Sequence, residues 1–238
     1  MASRGPKAPA AVTAGTVTPA AAGPGATPAP TSPLRATMMT LPKGQLLERV
    51  HPDRFGATVF NPGAVGNARF SPIRDDTGAT IPTLYAGTTL DCALLETIFH
   101  DVPYTAGFKS IDKARLTSQV HSTIETHSDL TLVELTTVAL RRLGVSRPQL
   151  IETEKDRYPQ TRLWAEALYR EFPEAQGLMW VSRQDDTARA YVFFGDRILA
   201  SALQQQGVSR GLLGNPAAYD QVLNLAERLG VEIVPGRV

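Results

Sequence analysis

Arg69, Tyr85 and Glu96 fall within one stretch, Gly66 to Asp101. Their types suit a polar cleft. A guanidinium offers a planar fork of donors that pairs an anion bidentately. A carboxylate on a rigid element can steady developing positive charge or orient a nucleophile. A phenol adds an aromatic face with a hydroxyl at its edge. Arg49 lies upstream, in the run Leu46 to His51.

Such side chains need scaffolding, and the pattern supplies it. Arg69 and Phe70 read as a short strand, followed by a turn and a buried strand from Pro82 to Ala86, with Tyr85 near its end. A helix is expected from Leu90 to His100. Thr88 and Asp91 have capping-box spacing, and Asp91 places negative charge in the first turn. Leu90, Ala93, Leu94, Thr97 and Ile98 keep the helical rhythm of a core face, which leaves Glu96 off that stripe with Cys92, Phe99 and His100. Strands are also expected over Leu46–His51, Thr117–Thr126, Leu130–Leu135, Leu178–Val181, Ala190–Phe194 and Val231–Val234. Helices are expected over Thr136–Leu143 (closed by Gly144), Tyr158–Phe172 and Ala217–Leu229. Short strands with interspersed helices give an α+β class, a single domain built on a twisted, mostly antiparallel sheet.

The chain has 238 residues, 42% hydrophobic and 20% charged, with formal net charge +1. That is enough for one sizeable core. The charge balance gives no basic excess for direct nucleic-acid binding. Cys92 is the only cysteine, so an intrachain disulfide and a multi-cysteine metal site are excluded. No apolar run reaches the roughly 20 residues that span a bilayer, and a secretory h-region is missing, so the expected setting is cytoplasmic. Residues 1–36 are dominated by Ala, Pro, Thr and Gly and are expected to be a disordered tail, with residues 37–238 forming the domain. There is no Walker A loop, no G-x-G-x-x-G turn, no H-E-x-x-H pair and no G-x-S-x-G elbow. His100 reads as a helix-terminal histidine, and His121 and His127 as surface positions of a hairpin.

Taken in order, these segments resemble the RES domain, a family named for an Arg, a Glu and a Ser. Ala68-Arg69-Phe70, the strand ending Leu84-Tyr85-Ala86 and the helix carrying Glu96 match its first half. Gly177-Leu-Met-Trp-Val-Ser182-Arg183 matches the segment that should bear the serine. The likeness runs from about Lys43 to Leu203. It departs in Phe70, where the family often has Trp, and in a longer Ser71–Ile81 linker.

The resemblance implies a fold like that of ADP-ribosyltransferase toxins and an enzyme that consumes NAD+ as substrate, cleaving the nicotinamide–ribose bond with no cofactor or metal required. Glu96, Arg69, Tyr85 and Ser182 would be catalytic, and Arg49, Arg69, Tyr85 and Ser182 would bind the dinucleotide. It further implies a toxin neutralised by a helix-turn-helix antitoxin, DNA contact belonging to that partner. Water, phosphate and protein all remain open as acceptors, as does a non-catalytic interaction module. The oligomeric state is open too, a homo-oligomer included.

Overall fold

The computed structural model describes residues 26–236. In chain order the elements are β1 (Thr37–Leu41), β2 (Leu46–Pro52), β3 (Ile73–Arg74), β4 (Thr80–Ile81), β5 (Thr83–Gly87) and α1 (Leu90–Thr97). There follow β6 (Lys109–Asp112), β7 (Gln119–Thr126), β8 (Leu130–Glu134), α2 (Thr137–Leu143), α3 (Arg147–Leu150) and α4 (Tyr158–Glu171). The chain closes with β9 (Gly177–Val181), β10 (Arg189–Phe194), β11 (Leu203–Gly211), α5 (Pro216–Leu229) and β12 (Val231–Val234).

The class is α+β. Eight strands form one sheet in the order β1-β8-β9-β10-β5-β2-β7-β11, every pairing antiparallel except β8 with β9. Strand alternation sorts apolar residues onto two faces. Val133, Trp180, Val192 and Phe194 join Trp164 and Leu168 of α4 in one cluster. Leu84, Leu132, Met179 and Phe193 form another. A third joins α1, α5 and Val50. Among the described residues no helix is long and apolar enough to cross a membrane.

One irregularity sets up the site. β2 pairs with β7 over seven residues but meets β5 only at Glu48–Gly87. Beyond that pair β2 and β5 share no register, and their parting residues line a cavity. Helix α1 follows directly from β5 and is drawn close at Gly87, where a Cβ would lie 2.8 Å from Cys92 Sγ. Only glycine permits that approach.

Several expectations need correcting. Arg69 and Phe70 lie in a turn closed by the Ala68–Ser71 bridge, not in a strand. The cap of α1 is Thr89, whose Oγ1 accepts from Cys92 N, while Thr88 Oγ1 accepts from Arg189 N. α1 ends at Thr97, three residues earlier than expected. His121 is buried, not on the surface, because Glu48 lies 2.6 Å from its Nε2. In α4 Leu163 is exposed, while Trp164, Ala165, Ala167 and Leu168 are buried.

The ordered chain begins before residue 37. Residues 26–36 lie against the domain: Trp164 Nε1 donates to Pro28 O at 2.7 Å, Thr27 Oγ1 donates to Gln149 O at 2.6 Å, and Leu34 is buried. The expectation of disorder for the first 25 residues lies outside the described residues.

Candidate active site

The cavity between β2, β5 and α1 has a volume of about 420 Å³, a size typical of ligand sites. Arg49, Arg54, Arg69 and Arg183 line it, and Glu96 is the one carboxylate among its lining residues. Charge of one sign along low-dielectric walls raises the local concentration of anions.

Arg69 is only 5% exposed, yet its guanidinium is poorly matched. Nη2 donates to Thr153 O at a long 3.4 Å, and Nε and Nη1 are buried with no hydrogen-bond partner among the described residues. The Tyr158 ring lies 5.4 Å below the cation. The turn that carries it is pinned from two sides. Phe70 N donates to Tyr85 Oη at 3.1 Å, Thr161 Oγ1 of α4 donates to Arg69 O, and Arg162 Nη1 donates to Asn67 Oδ1. A buried, unpaired cation on a fixed turn is costly unless something negative completes it.

Tyr85 therefore has a different station from the one its sequence position implied. Its ring lines the cavity and meets Trp180 edge to face at 6.1 Å. Its hydroxyl is committed to the Arg69 turn. Burial pushes its pKa up to about 12, so it remains a phenol at neutral pH.

Glu96 is the penultimate residue of α1. Cys92 and Phe99, which share its side of the helix, are fully buried. The off-stripe face thus points into protein rather than water, and Glu96 stands half-buried at the cavity wall. Ser182 Oγ donates to Glu96 Oε1 at 2.9 Å and accepts from Gln184 N at 3.3 Å. Ser182 is completely buried and lies behind Glu96, outside the residues that line the cavity. Its hydroxyl holds the carboxylate in place.

Arg49 lines the cavity but is spent on structure. Nη1 donates to the carbonyls of Gly56 and Ala57, and Nη2 to Val59 O at 3.0 Å. Its fork ties the loop after β2 to the sheet, whereas Arg69 keeps two donors without a partner among the described residues. His51 Nδ1 donates to Pro52 O at 3.0 Å and Nε2 accepts from Ser122 Oγ at 2.8 Å. Burial first, and Arg49 second, push its pKa down to about 4. His100 also lines the cavity, with Nδ1 donating to Thr97 O at 2.9 Å. Burial, only partly offset by Asp101, holds it below the ordinary histidine value.

The sequence reading missed Tyr158, Trp180 and Arg183 as lining residues. Trp180 Nε1 is buried without a partner among the described residues. Arg183 follows Ser182 directly, so the motif had carried it without assigning it work. Tyr158 gave no signal, because nothing in a helix's first residue reveals what it stacks upon. Among the described residues no group of three or more His, Cys, Asp or Glu is placed to hold a metal ion.

Against known proteins, the family model described as the RES domain matches residues 46–210. No curated protein matches the chain.

Proposed function

Given that the chain belongs to the RES domain family, we propose that it is an NAD+-consuming toxin that cleaves the bond between nicotinamide and ribose. The observation that carries this reading is the pairing across one cavity of an unmatched buried cation, Arg69, with a carboxylate held by Ser182, Glu96. The first suits the pyrophosphate of a dinucleotide and the second suits the reacting ribose.

In this mechanism Arg69 binds the phosphates and fixes the dinucleotide in the cleft. As the C–N bond breaks, its electron pair leaves with nicotinamide, which departs neutral, and positive charge grows on the ribose. Glu96, with Oε1 anchored by Ser182, answers that charge through its second oxygen. A fixed carboxylate in a site shielded from water contributes roughly several kcal/mol to such a transition state. It then orients the nucleophile: water, which attacks the ribosyl carbon and passes a proton to that carboxylate and on to solvent, or phosphate, which attacks through an anionic oxygen. Tyr85 and Thr161 act one step back by holding the Arg69 turn in register. A helix-turn-helix antitoxin covering the cleft would keep the enzyme silent.

Incubating partner-free protein with NAD+, with and without phosphate, and identifying the products by mass tests the reading. Nicotinamide should appear without phosphate, paired with ADP-ribose, if water is the acceptor, and only with phosphate, paired with a phosphorylated ADP-ribose, if phosphate is. Intact NAD+ under both conditions would overturn the small-molecule reaction. A non-catalytic interaction module, or transfer to protein, would then take its place.

A further inference from the structure

We infer that Arg183 is a second anion ligand of the cleft and that, with Arg69, it selects a diphosphate over a single phosphate; this rests on the reading of NAD+ as substrate. Arg69 Nη2 and Arg183 Nη1 donate to the same oxygen, Thr153 O, at 3.4 and 2.7 Å. Both residues line the cavity. One carbonyl thus holds two guanidinium groups side by side, an arrangement that like charge opposes. The hydroxyl of the same Thr153 is also buried with no partner among the described residues.

The charges around this pair do not close. Arg183 has a 6% exposed side chain and an ion pair with Glu154 Oε1 at 3.3 Å, but the Glu154 side chain is 71% exposed. An exposed carboxylate of that kind is a weak partner and is readily displaced. Arg69 retains two unpartnered donors. Aromatic rings hold both cations in place: Tyr158 lies 5.4 Å from Arg69 and Tyr104 lies 5.6 Å from Arg183. Two fixed forks meeting at one point match a ligand with two linked phosphoryl groups, each able to take a bidentate pair. A monophosphate satisfies only one of them. In the free protein Glu154 occupies Arg183 from the solvent side, and the incoming diphosphate replaces it.

Calorimetric titration of ADP and AMP, which are not cleaved, tests this on wild-type protein, Arg183→Gln and Glu154→Gln, with melting temperature recorded for each. Wild-type protein should bind ADP about tenfold or more tighter than AMP. Arg183→Gln should weaken ADP by about tenfold to a hundredfold and bring it toward AMP, whose affinity changes little. Glu154→Gln should tighten ADP severalfold, because the phosphate no longer competes with a carboxylate. A purely structural Arg183–Glu154 pair would give no such gain. Unchanged ADP affinity in Arg183→Gln, or unchanged or weaker affinity in Glu154→Gln, overturns the inference. Should Arg183→Gln fail to fold, the Glu154 arm decides alone. Wild-type protein that releases nicotinamide while either variant gives an overturning result defeats only the role of Arg183. Wild-type protein that neither binds ADP nor consumes NAD+ defeats the substrate reading as well.

Discussion

Glu48 on β2 and Glu96 on α1 are both half-buried carboxylates on neighbouring elements, and each takes a hydrogen bond from a buried side chain. Their surroundings differ in how completely they close. Glu48 Oε2 accepts from His121 Nε2 at 2.6 Å and from Thr123 Oγ1 at 2.9 Å. Arg210 Nη2 donates to His121 Nδ1 at 3.3 Å, which keeps the imidazole proton on Nε2. Each donor in that chain has its acceptor. Around Glu96 the chain breaks: Ser182 supplies one bond, and Arg69 and Trp180, which line the same cavity, keep buried polar atoms without partners among the described residues. A closed polar network stabilises a fold, whereas an open one stores a cost that a ligand can relieve. Residue type alone does not separate the two; the completeness of pairing does.

The largest expected effect is on chemistry. Glu96→Gln keeps shape but removes charge, and NAD+ turnover should fall by about two to three orders of magnitude, equivalent to ~3–4 kcal/mol of transition-state stabilisation. NAD+ affinity and melting temperature should hardly move, since the charge being answered develops in the transition state. Steady-state kinetics with a parallel thermal melt checks this. An unfolded Glu96→Gln protein would move Glu96 into the closed class.

The two cavity arginines sharpen the contrast. Arg49→Met strands three loop carbonyls and should cost about 2–4 kcal/mol of stability by urea unfolding. Arg69→Met removes a cation with one long bond and should stay within about 1 kcal/mol of wild type. Its affinity for NAD+, however, should drop about tenfold to a hundredfold. Equal stability losses in both variants would erase the distinction between them.

A smaller effect is expected at Glu48. Glu48→Gln should cost about 1–3 kcal/mol and leave turnover intact. Burial alone would raise the Glu48 pKa, but the hydrogen bonds from His121 and Thr123 outweigh it and hold it below its ordinary value of 4.5. A depressed carboxylate pKa contributes stability above that ordinary value and loses it as pH falls through the folded one. The deficit of the variant should therefore shrink below about pH 4.5.

His51 gives the most gradual signal. Its pKa is about 4 in the fold and 6.5 ordinarily, so between those values the unfolded chain binds the proton first. Stability should be level above about pH 6.5 and decline as the pH drops toward 4, by roughly 1–3 kcal/mol. Melting curves across that range should be flatter for His51→Gln.

Much of the scaffold was legible because periodicity carries it. β2, β5, β7 to β10, α2, α4 and α5 fall within a few residues of where their apolar patterns put them. β11 was missed because its residues Gln204 to Arg210 are exposed, which leaves no alternation to read. β1 and β6 are short and partly polar, with little pattern of their own. The Arg69 turn is not legible in the sequence because its shape is imposed from outside, by Tyr85, Thr161 and Arg162. Glu96 and Arg69 were found through the spacing of a family pattern. The retreat of Ser182 behind Glu96, the engagement of Arg49 and the convergence of Arg183 on Thr153 are facts of three-dimensional pairing that a linear pattern does not contain.

The central claim is that the open cluster works on a substrate while the closed one holds the fold. Nicotinamide release from saturating NAD+, measured side by side on wild type, Glu96→Gln and Glu48→Gln below the melting point of all three, tests it most directly. The account predicts release by wild type and Glu48→Gln and near-silence from Glu96→Gln. Equal release by wild type and Glu96→Gln, or none from wild type, would contradict it.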